Sequence, residues 1–303
     1  MGWRFFFTSL VSMFFIFLLI LYWFVPFENG TFTPNKVTSS NFSLMGDENN
    51  QMQFYPNMRF PSNNITTTYE GCTGKKKIDV DQAFEILEEK TILNFNQISL
   101  GGEINVNCEG EIKFESGMFI AGEGGPTNIT KAGEFNLIQG GIVNILKESD
   151  CPKPNIAIHE ILHALGFQHS ENINNIMYKI SKCSQTISDD IIGEINRIYS
   201  IPPYPDLIFE NVSARTSGRY LDTEVSIRNY GLEKSKTAEL IIYSGNKTIK
   251  TSEIDPIEVG YGASLIFKNI WIVDKDATEI RYEINYSEPE LDKSNNIIIL
   301  SKD

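Results

Sequence analysis

The 303-residue sequence predicts an α+β unit followed by an all-β, immunoglobulin-like sandwich, both behind one N-terminal transmembrane helix. Three observations lead there. An uncharged apolar run opens the chain. Helical and strand-like periodicities then mix as far as residue 201. Beyond a proline-rich break the pattern becomes short alternating strands separated by turn residues.

The apolar run follows Arg4 and extends from Phe5 to Phe27, interrupted by Thr8, Ser9, Ser12 and Pro26. About twenty helical residues rise ~30 Å, enough to cross a bilayer. Tyr22 and Trp23 fall where the far interface would lie, and Glu28 begins the polar side. The positive charge precedes the run. The positive-inside rule therefore expects a cytoplasmic N-terminus, with everything after Glu28 outside the cell. A cleaved signal peptide is the competing expectation. No small-x-small site follows the run, which favours an uncleaved signal-anchor over residues 1–27. Residues 28–71 are rich in Asn, Ser, Thr, Pro and Met without periodicity and are expected to form a flexible stalk, with a pro-segment as the alternative.

Asp79-Val80-Asp81 opens a helical pattern, with Ala83, Phe84, Ile86 and Leu87 as its apolar face and Asp79 or Asp81 as the expected N-cap. Gly102 to Asn107 alternates as a strand. Met118 to Ala121 and Phe135 to Leu146 read as further strands, with Gly122-Glu123-Gly124-Gly125-Pro126 as a loop between them. Ile156 to Leu165 is apolar nearly all round, as a buried helix should be. Asp189 to Tyr199 is a helix with Ser188 as N-cap and acids in its first turn.

Ile201-Pro202-Pro203-Tyr204-Pro205 is a stiff linker and the domain boundary. It separates a unit at 72–201 from one at 205–303. Strands are expected at 206–212, 225–229, 240–243, 265–267, 280–284 and 297–300.

The chain carries 39 acidic and 26 basic residues, a formal charge of −13. That argues against a nucleic-acid partner, which needs a basic face. Cys72, Cys108, Cys151 and Cys183 all lie in the first unit. An even number in an exported chain suggests two disulfides, with three possible pairings. Cys151–Cys183 with Cys72–Cys108 is favoured. No C-x-x-C pair suggests a thiolate zinc site. N-x-[ST] sequons occur at Asn29, Asn41, Asn64, Asn128, Asn211, Asn246 and Asn285, which suits an extracytoplasmic surface. No clustered Asp/Asn loop demands calcium.

All three histidines of the chain fall in one stretch. His159, Glu160 and His163 form H-E-x-x-H, Gly166 follows three residues later, and His169 three after that. Chance alone places three histidines so at a rate on the order of 1 in 10⁴. On a helix, i and i+4 share a face, so His159 and His163 can aim at one ion. Glu160 can sit beside it and hold a water. Gly166 can take positive φ and turn the chain back, bringing His169 in as third ligand. Three nitrogens and one water are the open coordination of a catalytic Zn²⁺.

This pattern, with Met177 in Asn175-Ile176-Met177-Tyr178, resembles the metzincin zinc peptidases, matrixins in particular. The resemblance implies a zinc-dependent endopeptidase acting on peptide or protein substrates. It implies His159, His163 and His169 as metal ligands, Glu160 as general base and Met177 as a Met-turn beneath the metal. It also implies a substrate-binding sheet edge near Phe119, Ile120, Ala121 and Gly122. The chain has no further histidines for the structural zinc of vertebrate matrixins. Asp206-Leu207, Asn229-Tyr230-Gly231 and Glu290 to Asn296 resemble CARDB-type adhesion modules, their Asp and Asn residues serving as turn formers. A surface adhesion protein acting through 205–303 is the alternative function.

Overall fold

The computed structural model describes residues 2–24, 30–34, 52–115, 118–272 and 277–302. Helix α1 (Gly2–Phe24) has 23 residues, about 35 Å at the helical rise. Its Trp3–Ile20 span is apolar and wholly unburied. A membrane anchor and a signal sequence both present such a helix. Residues 25–27, the end of the expected anchor, lie outside the described residues.

Strand β1 (Gly30–Pro34) comes next, and the first sheet begins beyond residue 51. Its elements are β2 (Met58–Arg59), β3 (Asn64–Glu70), α2 (Gly74–Lys90), β4 (Asn94–Gln97), β5 (Ile104–Asn107), β6 (Lys113–Glu115), β7 (Met118–Ile120), β8 (Gly122–Ala132) and β9 (Phe135–Ile145). Helices α3 (Asn155–Ala164) and α4 (Asp189–Tyr199) follow. Five strands run parallel in the order β2-β9-β5-β3-β4. β8 is antiparallel and, among the described residues, pairs with β9 alone, so it forms an edge.

Apolar faces of α2, α3 and α4 share one core with the strands. Val80, Phe84 and Leu87 meet Ile161, Leu162 and Leu165, with Val106 and Val143 from the sheet and Ile195 and Ile198 from α4. Burial of such side chains stabilises by roughly 1.5–3 kcal/mol each.

Three local expectations change. Residues 28–71 are not all stalk: Gly30–Pro34, Met58–Arg59 and Asn64–Glu70 are strands. β3 lies between β4 and β5, and its polar sequence hides it. Its three consecutive threonines are β-branched and suit a pleated strand, and Thr66 is held through Oγ1 and its N–H, both donating to Glu103 Oε2. Second, α2 starts earlier than expected. Thr73 is its N-cap residue, and Asp79 is instead buried, accepting from Lys75 Nζ and the Ser149 N–H. Third, Gly122 to Pro126 is strand, not loop.

The structure bridges Cys72 to Cys108 and Cys151 to Cys183. The first joins the ends of neighbouring parallel strands. The second ties the approach to α3 to the loop before α4.

The second sheet comprises β10 (Leu207–Ser217), β11 (Tyr220–Asn229), β12 (Ala238–Ser244), β13 (Lys247–Ile254), β14 (Gly262–Trp271), β15 (Glu279–Asn285) and β16 (Ile297–Lys302). Its order is β13-β12-β15-β16-β1-β10-β11-β14, antiparallel throughout. The two ends of this path face each other across one core: Val212, Leu221 and Val225 from one side, Leu240, Ile280, Tyr282 and Leu300 from the other. The layers of the expected sandwich are thus one hydrogen-bonded path, with β1 inserted between β10 and β16. Phe32 of β1 is buried in that core.

Between the two sheets lies a small third core. Ala132, Phe135 and Leu137 pack with Leu232, and Ile201, Val259 and Leu291 lie against them. Arg59 stitches the linker to the first unit. Its guanidinium donates to the carbonyls of Ile198, Ile201, Pro61 and Phe60 and stacks 4.7 Å over the Tyr199 ring. Burial pushes its pKa down to about 10.

Candidate metal centre

Helix α3 places His159 and His163 one turn apart, both buried. Each ring is oriented by a backbone carbonyl. His159 Nδ1 lies 2.7 Å from Ile176 O, and His163 Nδ1 lies 2.7 Å from Phe167 O. A carbonyl only accepts, so both Nδ1 atoms carry the proton and both Nε2 atoms carry a lone pair. Those two Nε2 atoms stand 3.0 Å apart. Two lone pairs at that distance repel, and an electrophile shared between them removes the conflict. Burial, with His159 second, pushes His163 down to about 4, and burial also lowers His159. Both are therefore neutral near pH 7, the state a metal ligand needs.

Gly166 ends the helix with φ 95°. Its N–H donates to His163 O, and a Cβ there would come within 2.8 Å of Met58 Cβ. Glycine is thus required twice, by its conformation and by the close approach. The reversal brings the His169 ring to 4.7 Å from His163 and 5.3 Å from His159, centroid to centroid. The ligand nitrogens of all three lie within 4.8 Å of one another. His169 is the exposed member. Burial, then the charge of Lys179, lowers its pKa.

Glu160 is buried beside this cluster, under β8. A Cβ at Gly122 would meet Glu160 Cγ at 2.6 Å, and one at Gly124 would meet the Glu160 backbone oxygen at 2.2 Å. The glycines of β8 are there because α3 lies on them. Burial, with Glu123 second, pushes the Glu160 carboxyl up to about 8. A cation beside it would act in the opposite direction.

Met177 is buried, and its turn is closely held. The Met177 N–H donates to Asn175 Oδ1, Asn175 Nδ2 donates to Ser188 Oγ at 2.8 Å, and the Ser170 N–H donates to Met177 O. Ser188 is the N-cap residue of α4, as the sequence suggested, but its side chain serves this turn and makes no capping hydrogen bond. The same turn presents the Ile176 carbonyl that orients His159.

The four residues of the expected substrate edge fall on different elements. Phe119 and Ile120 belong to β7, which among the described residues pairs only with β6, and Phe119 is exposed. Ala121 O accepts from the N–H groups of Leu146 and Lys147. Only Gly122 lies on the sheet edge, where it begins β8. Several contributors had no legible signal. The carbonyls of Ile176 and Phe167 are backbone. Phe54 stacks on His163 at 6.0 Å from a stretch expected to be tether.

Comparison with known families agrees with this geometry. Residues 62–200 match the family model Peptidase_M10, described as Matrixin. That segment is matrixin-like. A search of curated proteins returns no match. Among solved structures, a domain from Methanosarcina acetivorans is 18% identical, covering 32% of this chain and 90% of its own, with a TM-score of 0.28. The CARDB domain of a Pyrococcus furiosus protein, in complex with di-metal ions, is 15% identical, covering 32% of this chain and 87% of its own, with a TM-score of 0.26. In the matrixin-like segment the three-histidine group fits a zinc site, because both buried rings are neutral and their free nitrogens converge.

Proposed function

We propose that the chain is a membrane-anchored, extracytoplasmic zinc endopeptidase. The single observation behind this is the convergence of three histidine nitrogens beside a buried glutamate, within the matrixin-like segment. His159, His163 and His169 would hold the zinc. Bound there, Zn²⁺ supplies Lewis acidity to a water and to the scissile carbonyl. Glu160 takes the water's proton and returns it to the leaving amine. Ile176 O and Phe167 O keep the rings in the Nδ1–H tautomer. The free edge of β8 is where an extended peptide adds as a further strand.

The unit boundaries are part of the proposal: a peptidase unit at 72–201, extended back to include β2 and β3, and a sandwich unit at 205–303, completed by β1. Two disulfides and an exposed apolar N-terminal helix support a location outside the cell on a membrane.

The test is Glu160→Gln in zinc-loaded protein. Peptide hydrolysis should fall by at least about 10³-fold while zinc content stays at one per chain. Wild-type turnover in that variant would end the proposed mechanism.

A further inference from the structure

Chain folding assembles a cluster that is scattered in the sequence. Asp206, at the end of the linker, meets the loop 290–296 before β16. Asn295 Nδ2 donates to Asp206 Oδ1 at 2.9 Å, a contact across 89 positions. Asn296 Nδ2 donates to Glu290 Oε2 at 2.5 Å, and the Leu207 N–H donates to Glu290 Oε1 at 3.0 Å. Asp206, Asn295 and Asn296 are all more than nine-tenths buried. Asp292 acts on Asp206 both through its charge and through a backbone hydrogen bond, and Glu290 feels the charges of Asp206 and, in the opposite direction, Lys293. Among the described residues neither Asp206 nor Glu290 is in an ion pair with Lys or Arg. Lys293 is turned to the Tyr286 carbonyl at 3.3 Å.

A second observation is independent of the charges. The side-chain oxygens of Asn295 and Asn296 are buried without a hydrogen-bond partner. Six side-chain atoms among the described residues share that state, and two of them are these sequence neighbours. Each amide presents its nitrogen to a carboxylate. Its oxygen, on the same carbon, is left with no donor to meet it. Buried amide oxygens are rarely left so. Rotating the amides would set oxygen against carboxylate, which is worse. A cation among these groups would give the amide oxygens a partner and offset the charge of the carboxylates.

We propose that Asp206, Glu290, Asn295 and Asn296 form a binding site for a calcium-type divalent cation. The donors are all oxygen, from carboxylates and amide carbonyls, which selects hard cations. The irregular donor set suits the flexible coordination of Ca²⁺ rather than the strict octahedron of Mg²⁺. Each carboxylate keeps lone pairs beyond its existing bonds. The site lies at the junction of the two units. The Leu291 N–H donates to Pro205 O at 3.0 Å and the Tyr230 N–H to Asp206 O at 2.8 Å, while Leu291 packs against the core between the sheets. A bound cation would fasten the linker end to the loop before β16, stiffening the attachment of the sandwich. This inference does not depend on the zinc centre.

The test uses zinc-loaded full chain in detergent micelles. Calcium chloride is titrated by calorimetry, and thermal unfolding is followed in 1 mM calcium, 1 mM magnesium or neither. Calcium alone should raise the unfolding temperature by about 5 °C or more. Glu290→Gln, which keeps shape and removes one charge, should weaken calcium binding at least tenfold, and the double variant Asp206→Asn with Glu290→Gln should abolish the shift. Asp190→Asn, on the exposed start of α4, should leave calcium affinity unchanged. If the wild-type chain shows no calcium binding and no shift, the proposal is overturned. The same holds if Glu290→Gln binds calcium with wild-type affinity, a result that keeps its force should the double variant fail to fold.

Discussion

Replacing Gly124 by alanine measures how closely the edge strand and the metal helix are joined. The added Cβ would lie 2.2 Å from the Glu160 backbone oxygen and 2.8 Å from its carbonyl carbon. Ordinary contact begins at 3.4 Å, so strand and helix must part by roughly 1 Å. Both obstacles are backbone and cannot rotate aside. Overpacking of this kind costs about 1–3 kcal/mol. The same displacement moves Glu160 and His159 relative to a substrate on β8, and a 1 Å misplacement costs about 10²-fold in rate. Gly125 is the internal control. Strand alternation turns its Cβ to the other face, where nothing lies within 4 Å. Gly124→Ala should therefore melt several degrees lower and lose at least about tenfold in kcat/KM on a fluorogenic peptide. Gly125→Ala should melt as the wild type does. Wild-type melting and turnover in Gly124→Ala would refute the close approach.

Other perturbations reach other parts of the molecule. Asn175→Ala removes the acceptor for the Met177 N–H and the donor to Ser188, and should weaken zinc binding about 10–100-fold in competition with a chromophoric chelator; an unchanged affinity counts against a role for this turn in aiming His159. Phe32→Ala empties a buried site in the sandwich core and should destabilise by about 3–5 kcal/mol in denaturant melts, whereas a stalk residue would cost almost nothing. Burial holds the Tyr282 phenol, which shares a hydrogen bond with Thr223, above its ordinary value of 10.0. The neutral form is thus favoured in the fold, so its contribution is complete below pH 10 and is lost as pH rises above it, at about 1.4 kcal/mol per pH unit. Tyr282→Phe should flatten the alkaline limb of the stability curve, and an unaltered limb would contradict that assignment.

The metal ligands were legible because they are side chains at helical spacing on one short segment. What aims them was not, because Ile176 and Phe167 act through carbonyls that any residue would carry. β3 was hidden by its polarity: a run of threonines looks like tether composition, although β-branching suits it to a strand. β8 was hidden by glycine, which marks turns and close helix–strand approach alike. β13, at Lys247–Ile254, is largely exposed and shows no clean alternation. Asp206 and Asn295 could not be associated from sequence, since only the antiparallel path through β10 and β16 brings them together. Turn-forming Asp and Asn residues took on a different aspect once two of their amide oxygens proved to be buried and unpartnered.

The three imidazoles come from positions 159 to 169, yet they are not held equally. His163 depends on Phe167, four residues away on its own turn, so its aim survives as long as α3 does. His159 depends on Ile176, whose position is set by a longer series of contacts. The Ile176 N–H donates to Thr186 O at 2.8 Å, Gln185 Nε2 donates to the carbonyls of Ile173 and Ile180, and Asn155 Nδ2 donates to Lys182 O. The Cys151–Cys183 bridge closes the same loop onto the base of α3. Loosening that loop therefore frees one ligand and leaves another in place. This is why disturbing Asn175 should weaken the metal by tens of fold rather than release it, and why the loss should deepen when the Cys151–Cys183 bridge is also reduced.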